Sequence, residues 1–211
     1  MTSTDRASVF DALKVAASAL KAADVRFALA GSLAAHARGG WSDPHDVDFA
    51  ILESSVPEAM AALRAAGLQV EDPAEDWLVK AYSERPDGGR CLVDLLFRPA
   101  GTPVTEEMLD RARELQVESV IMPVLAATDL ITLLLLSLTE QHCDFGPPLR
   151  VSRPLREQID WKAVLGATEH SAYARSFIFL LRQLNVLEPV QTAVSQTSSG
   201  NRATAVRGER L

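Results

Sequence analysis

Apolar positions recur at close to helical spacing over residues 7–23, where Val9, Leu13, Val15, Ala16 and Leu20 share a side and Thr4 or Asp5 stands ahead as a candidate N-cap. A short strand is expected over Arg26 to Ala30, and Gly31-Ser32 then opens an alanine-rich helix over Leu33 to Arg38. The breaker-rich stretch 39–44 predicts a loop. It leads into His45 to Leu52, where polar and apolar residues alternate as in a strand with one polar face. Val56 to Ala66 reads as a helix closed by Gly67. Trp77 to Tyr82 and Cys91 to Phe97 are β-rich runs joined by Arg85-Pro86-Asp87-Gly88-Gly89, the pattern of a hairpin. A helix over Thr105 to Leu115 and a strand over Glu118 to Val124 follow. Helices alone are then expected, over 128–142, 153–166 and 170–186, and the polar tail after Pro189 is expected to be mobile.

Strands interleaved with helices, followed by helices only, predict an α/β core over 1–125, a helical C-terminal segment over 126–187 and a disordered tail over 188–211. With 47% hydrophobic and 23% charged residues in 211, the chain can bury a core, which excludes wholesale disorder. The net charge of −7 argues against a protein built simply to coat nucleic acid. That charge is segregated, at −11 for residues 1–145 and +4 for residues 146–211, so the two parts suit different ligands. Cys91 and Cys143 form neither a disulfide framework nor a zinc-ligand pattern, which favours a reducing compartment. The N-terminus has no signal-peptide core. The longest apolar run, Leu130 to Leu138, is far short of the ~20 residues of a membrane span. The chain therefore reads as soluble and cytoplasmic.

The chemistry concentrates in Gly31-Ser32 and, after a loop, Asp46-Val47-Asp48. In a strand, residues i and i+2 point to one face roughly 6.6 Å apart, so both carboxylates project together. Like charges so close repel unless a cation lies between them, and hard divalent cations take oxygen ligands completed by substrate phosphates. A third carboxylate, Asp94, stands in Leu92-Val93-Asp94-Leu95-Leu96, where a half-buried acid is costly without a cation. Adjacent strands would make the three converge, an arrangement suited to two-metal phosphoryl or nucleotidyl transfer. Gly31-Ser32 would bring backbone N–H groups close to triphosphate oxygens. Asp-x-Asp alone is common in surface strands, and Gly-Ser before a helix is often mere capping; the combination in this order is what points to a site.

The run AGSLAAHARGGWSDPHDVDFAI at 30–51, with VDLLF at 93–97, resembles the polymerase-β-type nucleotidyltransferase superfamily, whose pattern is Gly-Ser or Gly-Gly, then Asp-x-Asp, then a later strand Asp. Within it the chain is most similar to small bacterial AbiEii/MenT-like nucleotidyltransferases, several of them toxins of toxin–antitoxin pairs and some of them modifiers of tRNA 3′ ends. The motif match covers residues 27–97, with weaker similarity at 139–145 and 155–161. The resemblance implies an α/β (α+β) fold, with a small mixed sheet flanked by helices and a helical C-terminal segment. It also implies transfer of NMP from an NTP to a hydroxyl with Mg²⁺ or Mn²⁺. Gly31 and Ser32 would hold the triphosphate. Asp46 and Asp48 would bind both metals, and Asp94 would complete the set and help activate the acceptor. The implied partners are the NTP, an RNA or tRNA acceptor or a small-molecule hydroxyl, and a cognate antitoxin.

Arg38 lies between the two motifs and either touches phosphate or is a solvated helix-end arginine. Lys80, on the hairpin partner of the Asp94 strand, faces either phosphate or water. Toxin-type relatives commonly carry a lysine in the helix after the core, whereas this chain reads Asp129-Leu130-Ile131-Thr132-Leu133-Leu134-Leu135-Leu136 there. Lys80 or an arginine must then supply the charge, or triphosphate binding is weak. Asp144 is the counterpart offered for the relatives' later acidic motif, against a plain helix-terminal acid. His142-Cys143-Asp144 is not expected to form a cluster, because adjacent helical residues diverge. Arg150, Arg153 and Arg156 recur every three residues, either as a solvated helix face or as contacts for acceptor phosphates. Trp77 and Trp161 are assigned to packing. Three functions remain open: transfer to RNA, transfer to an aminoglycoside or lincosamide, and a catalytically silent binding protein of this fold.

Overall fold

The computed structural model describes residues 3–40, 45–71, 75–85 and 88–187; the tail expected to be mobile and residues 41–44 of the 39–44 loop lie outside them. A seven-stranded mixed sheet organises the N-terminal part, in the order β3-β4-β5-β2-β1-β7-β6. The strands are β1 (Phe27–Leu29), β2 (Val47–Ile51), β3 (Gln69–Val70), β4 (Leu78–Glu84), β5 (Arg90–Leu96), β6 (Arg113–Val117) and β7 (Val120–Val124). β2 runs antiparallel to β1 and parallel to β5, while β1 and β7 are parallel. The expected hairpin is present as β4 and β5, paired from Leu78 opposite Leu96 to Glu84 opposite Arg90. The two-residue β3, which has no sequence pattern of its own, extends this edge by pairing with β4.

Helix α1 (Ser3–Ala22) buries Leu13, Ala16, Ala17 and Leu20 against the sheet, together with Leu63 of α3 (Val56–Ala65). Because α1 begins at Ser3, Thr4 and Asp5 lie inside it and are not its N-cap. The rings of Phe27 and Phe49 pack edge to face with centroids 5.2 Å apart, which fixes β1 against β2 in the core.

The helix expected over Thr105 to Leu115 is cut short. Thr105 does cap α4 (Glu106–Asp110) by accepting from Met108 N, but residues 113–117 form β6 and pair with β7 around a turn where Glu118 adopts φ +53°. The alternation of Arg113, Glu114, Leu115, Gln116 and Val117 fits an edge strand, and tertiary pairing overrides the helix propensity of the segment. The strand expected from Glu118 accordingly starts at Val120.

The helix expected over 128–142 is α5 (Ala127–Leu136), and the following segment is a loop closed by reciprocal Thr139 and His142 backbone bonds. The helix expected over 153–166 is two separate helices. α6 (Gly146–Leu155) carries Pro154 in its last turn, a 3-10 turn spans Arg156–Gln158, and Asp160 caps α7 (Trp161–Thr168) through Lys162 N and Ala163 N. Proline without an N–H and a capping aspartate six residues later together account for the break. α8 (Ala172–Gln183) is capped by Ser171, and the chain turns away just beyond it at Asn185, φ +54°. These helices share a second core built on Ile131, Leu135, Leu155, Val164, Phe177 and Leu181. α5 bridges the two cores, with Leu130 packed toward the sheet and Ile131 toward the helices.

Among the described residues no helix is long and apolar enough to cross a membrane.

Candidate active site

The parallel pairing of β2 with β5 sets Asp48 opposite Asp94, and the β4–β5 hairpin sets Lys80 opposite Asp94. One row across three strands therefore carries Lys80, Asp94 and Asp48. Asp46, just ahead of β2 and two residues from Asp48, joins them. Asp46, Asp48 and Asp94 each offer an oxygen, and these oxygens lie within 4.8 Å of one another. Val47 between the first two is fully buried, so the alternation that puts Val47 into the core turns both neighbouring acids to the opposite face.

The loop between β1 and α2 (Gly31–Ala37) closes over this cluster. Ala30 N donates to Asp48 O at 2.8 Å, and Gly31 follows at φ +58°. A Cβ at position 31 would stand 2.7 Å from Asp48 Cγ and overlap its carboxylate, so only glycine allows the approach. The hydroxyl of Ser32 is buried with no hydrogen-bond partner, as is Oδ1 of Asp94.

The electrostatics follow from this crowding. Burial foremost, then the charges of Asp46 and Asp94, push the Asp48 carboxyl up to about 8. Burial and Asp46 raise Asp94 to about 6, with Lys80 opposing the rise. Uncompensated, the cluster resists full ionisation near neutral pH. An all-oxygen donor set, mutual repulsion and an orphaned buried carboxylate oxygen together fit a hard divalent cation.

The other expected site residues are arranged differently. Lys80 donates to Glu75 Oε1 at 2.9 Å, a bond that is the main cause of its raised pKa. Glu75 was not expected, since its place three residues ahead of β4 carries no signal of a pairing across five residues. Arg38, at the C-terminal end of α2, does not turn back to the carboxylates. It donates through Nη2 to Val124 O at 2.9 Å and through Nε to Leu125 O. Arg150 and Arg153 lie exposed on α6, but Arg156 belongs to the 3-10 turn beyond it and donates to Glu157 at 2.9 Å, so the three do not form one helix face. Asp144 is exposed and accepts from Gly146 N at 2.8 Å as a local turn. Cys143 and His142 are exposed, and neither joins a cluster of metal-binding residues among those described. Trp161 donates to Arg156 O, and Trp77 is partly exposed.

No family model matches the sequence, and no characterised protein matches it by sequence. Solved structures do match in three dimensions. The solution structure of the antibiotic-resistance factor ANT(2″)-Ia shares 16% identity at a TM-score of 0.50, over 86% of this chain and 94% of that one. A nucleotidyltransferase-like antigenic protein from Paracoccidioides brasiliensis shares 15% at 0.49, over 84% and 88%. The chain has a nucleotidyltransferase fold. At such identities the likeness is one of fold, and in this nucleotidyltransferase fold the carboxylate cluster sits where β2, β5 and the β1–α2 loop meet.

Proposed function

We propose that the protein is a divalent-metal-dependent nucleotidyltransferase that moves a nucleoside monophosphate from an NTP to a hydroxyl acceptor. The observation that carries this reading is the convergence of Asp46, Asp48 and Asp94 beneath a glycine that only its lack of a side chain lets approach. Asp46, Asp48 and Asp94 would hold Mg²⁺ or Mn²⁺, which when bound neutralises phosphate charge and favours ionisation of the acceptor hydroxyl. Gly31 brings the main chain to the triphosphate, and the unpartnered Ser32 hydroxyl is free to donate to a phosphate oxygen. Asp94 Oδ1, also unpartnered, is the atom suited to take the acceptor proton. The acceptor oxygen forms a bond to the α-phosphorus as the bond to the β-phosphate oxygen breaks, and pyrophosphate leaves. Lys80, opposite Asp94 and tethered by Glu75, acts on that carboxylate from the neighbouring strand and supplies the positive charge that helix α5 lacks.

The acceptor we favour is RNA, with a tRNA 3′ end as the leading candidate and a toxin acting beside a cognate antitoxin as the setting. The positive balance of residues 146–211 and the exposed Arg150 and Arg153 support it. An aminoglycoside is the second reading, because the fold likeness to ANT(2″)-Ia extends over nearly the whole of that chain. Incubation with each labelled NTP, Mg²⁺ and either total tRNA or an aminoglycoside and lincosamide panel separates the two. Label on tRNA supports the first and label on drug the second. Absence of transfer to any acceptor, with no NTP binding by calorimetry, would overturn the enzyme reading.

A further inference from the structure

An open cavity of about 580 Å³ lies at the other end of α2, lined by Arg38, Arg111, Arg113, Asp110, Glu157 and Gln158 and by the start of α5 at Ala126 and Ala127. It is separate from the carboxylate cluster: α2 begins at Gly31 and spans about 10 Å before Arg38. Its volume falls in the range of small-ligand sites, about 300–1,000 Å³.

The charges of its wall do not balance. Asp110 is held at 2.7 Å by Arg26, which it shares with Glu106, and Glu157 is held by Arg156 at 2.9 Å. Arg111 is held by Asp129 at 2.7 Å. Arg113 makes no ion pair among the described residues, and Arg38 makes none either but feels the charge of Asp129, which is already bridged to Arg111. The Arg38 guanidinium rests on two carbonyl oxygens, which accept its hydrogens but do not neutralise it. Burial foremost, and then the nearby Arg113 charge, lower its pKa against the opposing charge of Asp129. The first N–H groups of α5 have no side-chain cap from Ala126, although the first turn carries the acid Asp129.

We propose that this cavity is a second, anion-binding site that takes a phosphate group between Arg38 and Arg113. The same chemistry is offered by a free phosphate compound and by a nucleic-acid backbone. Recognition needs neither the carboxylate cluster nor a cation, so the proposal stands apart from the transferase reading.

The test is calorimetric titration of the full chain in EDTA at low salt, with inorganic pyrophosphate in one arm and a short single-stranded RNA in the other. Saturable binding of at least one probe is expected, weakened more than tenfold by Arg113→Glu, partly restored by Arg113→Lys, and retained by Asp48→Asn. Arg113 is exposed on an edge strand, so an unchanged unfolding midpoint for its variants shows that charge and not folding is responsible. Binding of pyrophosphate assigns the source to free phosphate compounds, and binding of RNA alone assigns it to the backbone. Failure of both probes to bind, or equal affinity in Arg113→Glu, overturns the proposal.

Discussion

Gly31 and the carboxylate of Asp48 occupy one packing contact that leaves no room for a methyl group, since a Cβ on Gly31 would meet Asp48 Cγ at 2.7 Å. The backbone at this point is also left-handed, at φ +58°. Gly31→Ala therefore meets two penalties, a strained conformation and displacement of a site carboxylate, together about 1–3 kcal/mol of stability. The shift of Asp48 is expected to lower turnover by about 100-fold. Urea denaturation and an NTP turnover assay on the same preparation read both effects. Full activity in a stably folded alanine variant would detach Gly31 from the chemistry.

Removing a charge from the cluster should affect function and stability in opposite directions. Burial and two neighbouring acids hold the Asp48 carboxyl up, so Asp48→Asn removes a group whose ionisation the cation-free protein resists. Nucleotidyl transfer should fall below detection and Mg²⁺ binding by calorimetry should weaken at least tenfold, while the melting temperature in EDTA stays level or rises. A variant that melts lower and still binds Mg²⁺ as the parent does would contradict the assignment of Asp48.

The same cluster predicts a pH dependence for the cation-free chain. A carboxyl raised in the folded state from 3.8 favours folding while it is protonated. That contribution is whole below pH 3.8 and is lost as pH rises through about 6 for Asp94 and about 8 for Asp48. The melting temperature in EDTA should therefore fall by several degrees from about pH 5 to about pH 9. Asp48→Asn should flatten the upper part of that slope. Parallel pH curves for parent and variant would show that Asp48 does not titrate in this window.

The site was more legible in the sequence than the fold around it, for a local reason. Asp46 and Asp48 are related by the two-residue period of a strand, and Asp94 advertises itself as a lone acid in an apolar run, so each is visible within a few residues. Their meeting depends on β2 lying beside β5, a pairing across some forty residues that no local pattern states. The strand β6 was read as helix because Arg113 to Val117 has helix-forming side chains, and its pairing with β7 is a tertiary fact. The direction of Arg38 was equally hidden: its partners are main-chain oxygens of Val124 and Leu125, which carry no side-chain signature.

The buried thiol and the exposed one should react very differently. Cys91 is buried on β5, and desolvation foremost, with the Asp46 charge, pushes it up to about 11, whereas Cys143 is exposed in the loop before α6. At pH 8 a maleimide should label Cys143 within minutes and leave Cys91 unlabelled until the chain is denatured. Peptide mapping after timed quenching gives both rates, and early labelling of Cys91 would mean that the β4–β5 hairpin opens in the native state.

Asp129 and Arg111 join α5 to the end of α4 through two parallel bonds, at 3.1 and 2.7 Å, with the acid buried and the arginine half exposed. Breaking such a pair from the buried side removes both bonds and leaves the guanidinium, which can turn toward solvent; breaking it from the exposed side strands a carboxylate in the interior. Arg111→Ala should therefore destabilise more than Asp129→Ala, by about 3 kcal/mol against about 1–2 kcal/mol. The double variant should fall close to Asp129→Ala, because without the buried acid the arginine has little left to do. Urea denaturation of the two single variants and the double one measures this coupling, and additive losses would show that the two side chains act independently.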